Sequence, residues 1–101
     1  MIGCIAALAD KDAPGMLAEL RGALDRAVFT ELPAAALAAW GRPGARAWAA
    51  GELLERAREL GLPGEIATDP AAAVERAREL ARERGGTVIV AGSHFLLAPP
   101  D

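Results

Sequence analysis

Residues 2–17 read IGCIAALADKDAPGML, and the fold class turns on the change of character inside this stretch. Its first half belongs to an apolar run, Met1 to Leu8, without helical period, the pattern of a strand buried on both faces. Its second half opens a helix. Asp12 stands as N-cap, Pro14 falls in the first turn, where a missing N–H is harmless, and Met16, Leu17, Leu20 and Leu24 follow at helical spacing. A strand of this kind running into a helix is the repeating unit of a parallel sheet.

The alternation recurs along the chain. A second strand is expected over 26–32, centred on Ala27, Val28 and Phe29. The stretch 33–48 is ambiguous: Pro33 and its alanines would start a helix that Gly41, Pro43 and Gly44 break, giving a short helical turn and then a loop. A clearer helix spans 49–60, with Leu53, Leu54, Ala57 and Leu60 on one face and Gly61 as its stop. Glu52 and Arg56 lie four apart on its wet side in the favourable order. A short third strand follows at 65–68, and Asp69-Pro70 signals the next helix, N-cap then first position. That helix runs to Arg84 and buries Ala73, Val74, Ala77, Leu80 and Ala81, while Glu75, Arg76, Arg78, Glu79, Arg82 and Glu83 form a solvated face. After Gly85-Gly86, Thr87 to Ala91 reads as the most cleanly buried strand, and Phe95 to Ala98 as a last short one stopped by Pro99 and Pro100. The expected fold is α/β: a Rossmann-like, mostly parallel sheet with helices on both faces, three layers deep.

Composition narrows the function classes. The chain of 101 residues is one domain or a piece of one, with 52% apolar residues for its core. A net charge of −3 and 4% aromatic residues give no footprint for nucleic acid. There is no apolar run long enough to span a bilayer and no export signal, so a soluble cytoplasmic protein without a membrane partner is expected. Cys4 is the single cysteine, without disulfide or metal-ligand companions, and is expected in the core. Ten arginines stand against one lysine, Lys11, which singles that residue out.

In a parallel sheet the carboxyl ends of the strands share one edge, and ligands bind in the crevice there. Two polar loops occupy such positions: Asp10-Lys11-Asp12 after the first strand and Gly92-Ser93-His94 after the last main one. Both face the same edge; their proximity depends on a strand order the sequence does not reveal. Lys11 offers a compact charge to a carboxylate or phosphate, oriented by Asp10 and Asp12. Its alternative is a solvated cation beside a capping Asp12. Gly92 permits a tight exit and close backbone approach, and Ser93 supplies a hydroxyl that donates and accepts. His94 is read as a hydrogen-bonding group rather than a base, since no Asp or Cys beside it suggests a nucleophilic arrangement. Arg46, in the irregular loop, is either a surface cation or a site residue, and Trp40 and Trp48 flank that loop, packing it down or sitting at an interface. There is no G-x-x-x-x-G-K-[ST], no G-x-G-x-x-G and no acidic cluster that would hold Mg²⁺ tightly, so nothing in this chain activates ATP.

Taken in order, these signals resemble the carboxy-terminal domain of folylpolyglutamate/dihydrofolate synthases. Gly3 to Leu17 is similar to that family's strand, Asp-Lys-Asp turn and Met-Leu helix. The strand with Thr30, then Ala45-Arg46-Ala47 before Glu52-Leu53-Leu54, resembles its Thr strand and Arg-Ala element. Asp69-Pro70 and the run VIVAGSHFL at 88–96 resemble its closing segment. The resemblance covers nearly the whole chain. It implies a partial Mur ligase-type domain spanning 1–101, part of an enzyme that uses ATP and Mg²⁺ to make an acyl phosphate and joins L-glutamate to a folate or dihydropteroate carboxylate. Lys11 is implied to bind a glutamate carboxylate, with Ser93 and the backbone around Gly92 on the same substrate; His94 is implied no chemical step. The family's Asp-Gly-Ala-His-Asn-Pro element, expected just before Gly3, and its P-loop domain are absent from the sequence. The chain alone is therefore expected to be inactive, to carry no cofactor, and to need the missing ATPase domain or to self-associate through exposed sheet. The rival readings are a non-catalytic Rossmann-like small-ligand or protein-interaction module, and a free-standing small enzyme using His94.

Overall fold

The computed structural model describes residues 1–7, 12–31, 46–84 and 86–91. Four strands, β1 (Ile2–Ile5), β2 (Arg26–Phe29), β3 (Gly64–Ile66) and β4 (Val88–Ala91), and three helices, α1 (Ala13–Leu20), α2 (Ala50–Glu59) and α3 (Pro70–Arg84), alternate as expected. The strands form one parallel sheet in the order β3-β2-β1-β4. The chain steps in one direction from β1 to β3 and then crosses back to place β4 on the far side of β1.

Right-handed crossovers make that reversal a change of face. Ile2 and Cys4 of β1, with Ala6 just beyond it and Val28 of β2, pack under Ala73, Ala77, Leu80 and Ala81 of α3. Ile5 and Ala7, with Ala27 and Phe29, face the opposite way against Ala13 and Leu17 of α1 and Ala50, Leu53 and Ala57 of α2. The period-two alternation along β1 therefore feeds both cores, which is why its sequence shows no polar face. Burying Leu17, Leu53, Ile5 and Phe29 completely is worth roughly 1.5–3 kcal/mol per side chain against exposure.

Helix ends follow the local chemistry. Asp12 caps α1, its Oδ1 accepting from Gly15 N–H at 3.1 Å, with Pro14 in the first turn. Asp69 caps α3 through Oδ2 and Ala72 N–H at 2.9 Å. Gly61 takes φ +77°, the left-handed turn that stops α2, and Gly86 N–H closes α3 by donating to Ala81 O.

Three expectations need correction. β4 is not the most deeply buried strand: Val88, Ile89 and Val90 are half-buried, because β4 pairs with β1 along one edge and no described strand pairs with the other. Arg56 pairs with Glu59 at 3.0 Å instead of Glu52, which stays in the first turn of α2, where exposed N–H groups favour a negative charge. Arg76 is not merely solvated. It bonds Glu65 of β3 at 3.0 Å and Glu79 at 3.2 Å, tying α3 to the sheet edge, and these carboxylates hold its guanidinium above its ordinary pKa. Of the ambiguous stretch 33–48, residues 33–45, with Trp40, lie outside the described residues, as does the last strand expected at 95–98.

Candidate functional site

The strand order β3-β2-β1-β4 puts a topological switch point between β1 and β4. The connection leaving β1 turns one way and β4 lies on the other side, the arrangement outside whose carboxyl ends open α/β sheets bind ligands. The two strands run parallel in register, Ile5 beside Ala91. The chain entering the Asp10-Lys11-Asp12 loop and the chain entering Gly92-Ser93-His94 therefore start from adjacent positions on one edge. Asp10, Lys11, Gly92, Ser93 and His94 themselves lie outside the described residues. The order that the sequence could not reveal makes neighbours of β1 and β4, the strands that precede the two loops.

The surrounding rim is built from the exits of β1 and β2. Beyond β1, Ala6 and Ala7 stay buried. Ile5 O accepts from Thr30 N–H at 2.9 Å, and Ala7 O accepts from Trp48 N–H at 2.9 Å. The second bond lays segment 46–48 across the exit of β1. Ala47 packs toward the α3 core and half-buried Trp48 toward the α1–α2 core. Arg46 is exposed, two residues from that anchor, which places its backbone at the rim. Asp12 is also exposed at this edge, with Oδ1 engaged in capping α1.

Two residues of the rim were not singled out as site candidates. Thr30 is fully buried, and its Oγ1 donates to Thr68 O at 3.1 Å, joining the exits of β2 and β3. Glu31, half-buried, accepts through Oε1 from Ala50 N–H at 2.8 Å. That bond supplies the cap Ala49 lacks, since Ala49 makes no side-chain cap bond. The signal was present in the sequence: a helix opening on Ala49-Ala50 without Ser, Thr, Asp or Asn must find its cap elsewhere.

Cys4 points into the α3 core, where burial pushes its thiol up to about 11, so it takes no part in chemistry at the rim. Among the described residues no group of three or more His, Cys, Asp or Glu is arranged to hold a metal ion. Among the same residues no helix is long and apolar enough to cross a membrane.

No protein-family profile matches the chain, and no curated protein does. Two solved structures of Mycobacterium tuberculosis folylpolyglutamate synthase are similar to it. The one complexed with ADP and AMPPCP superposes with a TM-score of 0.75 at 23% identity, over 99% of this chain and 24% of that one. The one complexed with ADP gives a TM-score of 0.67 at 26% identity, over 90% of this chain and 20% of that one. The chain thus spans about a quarter of the length of the enzymes it matches. The likeness expected from the residues is met in the backbone: this chain has the α/β, Rossmann-like fold of a part of folylpolyglutamate synthase.

Proposed function

We propose that the chain is the carboxy-terminal, substrate-side domain, over residues 1–101, of a Mur-type ligase that uses ATP to join L-glutamate to a folate or dihydropteroate carboxylate through an acyl phosphate. The observation that supports this reading is the adjacency at the switch point of β1 and β4, the strands that lead toward the Lys11 loop and the Gly92-Ser93 loop. In this reading Lys11 binds a carboxylate of the incoming glutamate as a point charge. Ser93 and the backbone around Gly92 hydrogen-bond the same substrate. Arg46, Asp10 and Asp12 shape the field around it, and His94 carries no chemical step.

ATP and Mg²⁺ belong to the rest of the enzyme, so the purified chain alone turns nothing over. Its partner is the ligase's ATPase domain, in the cytoplasm; the half-buried apolar edge at Val88–Val90 alternatively supports self-association. The reading is tested in the ligase assembled with its ATPase domain. Lys11→Ala raises KM for L-glutamate strongly and leaves ATP binding nearly intact. Unchanged glutamate kinetics would remove Lys11 from the site and favour a non-catalytic binding module.

A further inference from the structure

Segment 46–50 is held at two points by two different strands. Trp48 N–H donates to Ala7 O at the exit of β1, and Ala50 N–H donates to the Glu31 carboxylate at the exit of β2. Trp48 is packed against the α1–α2 core, and Ala50 is buried. Ala49, between them, makes no side-chain cap bond of its own. These two bonds hold the short run over the rim, one through backbone alone and one through the Glu31 side chain. Arg46 emerges from the run two residues before the first anchor, exposed, beside the point where the chain leaves Ala7 for the Lys11 loop.

We propose that Glu31 is a positioning residue of the rim, clamping segment 46–50 so that the Arg46 guanidinium is presented to a carboxylate at the β1–β4 switch point. A guanidinium held this way complements a carboxylate, such as one of L-glutamate's, with two parallel N–H bonds. The Glu31 carboxylate acts at one remove. It bonds a backbone N–H at the start of α2, where the helix favours its negative charge, and touches no ligand. The clamp rests on geometry alone; the identity of the ligand rests on the proposed ligase reading.

The test uses the ¹⁵N-labelled 101-residue chain with Glu31→Ala, Glu31→Gln, Arg46→Ala and the double variant Glu31→Ala/Arg46→Ala. Amide hydrogen exchange reads the clamp. In Glu31→Ala the amides of both Ala50 and Trp48 exchange faster by about ten- to a hundredfold, the loss of one charge-assisted hydrogen bond, while Glu31→Gln, whose amide oxygen still accepts, stays near the parent. Faster exchange at Ala50 with unchanged Trp48 overturns the clamp. Titration with L-glutamate reads the ligand. Glu31→Ala weakens binding as much as Arg46→Ala, Glu31→Gln restores it, and the double variant is no worse than either single one. Additive losses, or binding indifferent to Glu31→Ala, overturn the positioning role. A parent chain that shows the exchange pattern but does not take up L-glutamate overturns the assigned ligand and leaves the clamp standing.

Discussion

Replacing Gly64 with alanine tests the tightest contact in the sheet. A Cβ at Gly64 would stand 2.5 Å from Phe29 Cε2, 3.0 Å from Ala27 O and 3.2 Å from Leu54 Cδ1. Leu54 is half-buried and can swing aside, but the other two cannot yield as easily. Phe29 is fully enclosed by the α1–α2 core, and Ala27 O belongs to the backbone of β2. The methyl group must therefore push β3 away from β2 or drive Phe29 off its rotamer, an overpacking cost of about 1–3 kcal/mol. For a domain of this size that lowers Tm by on the order of 10 °C. Gly51 is the matched control. Alanine there meets nothing within 4 Å and sits inside α2, so it gains up to ~1 kcal/mol of helix preference. Thermal and urea unfolding of Gly64→Ala, Gly51→Ala and the parent measure both signs. A neutral or stabilising Gly64→Ala would refute the packing of β3 on Phe29, and with it the placement of neighbouring Thr30 at the rim.

Thr30→Val keeps the buried shape but removes the bond to Thr68 O, and unfolding experiments should record a loss of about 1 kcal/mol; a gain would mean that the hydroxyl holds nothing. Cys4 should resist thiol reagents at pH 8 in the folded chain and react readily in urea. Because its folded value is raised to about 11 from the ordinary 9.0, the unfolded thiol releases its proton first, so stability at Cys4 is intact below pH 9 and declines as pH rises toward 11. A thiol that reacts equally fast in both states would place Cys4 outside the core.

The sequence spoke most clearly where one local cause acts alone. Asp12 and Asp69 are caps because a carboxylate followed by Pro within the first turn suits little else, and both were legible. The face pattern of α3 followed from its 3.6-residue period, and the apolar run at Ile2 announced a strand enclosed on both faces. Burial of β4 was misjudged because a composition such as Thr-Val-Ile-Val-Ala fits a central or an edge strand alike, and only pairing decides which. Strand order was likewise hidden, since it depends on where the crossover through α3 returns, and apolar periodicity carries no such information. Glu31 was missed for a related reason. Its partner, Ala50, lies nineteen residues on, and only the folded chain brings a carboxylate from just beyond β2 to a helix that lacks a cap of its own.

The shared rim of β1 and β4 is best tested by paramagnetic relaxation on the 101-residue chain. A nitroxide carried at Lys11→Cys, with Cys4 shielded in the core, is predicted to broaden the amide signals of Gly92 and Ser93 severely. It should leave Leu62, which leads into the amino end of β3, sharp. Sharp Gly92 and Ser93 signals beside a broadened Leu62 would put the two loops at opposite ends of the sheet and contradict the account.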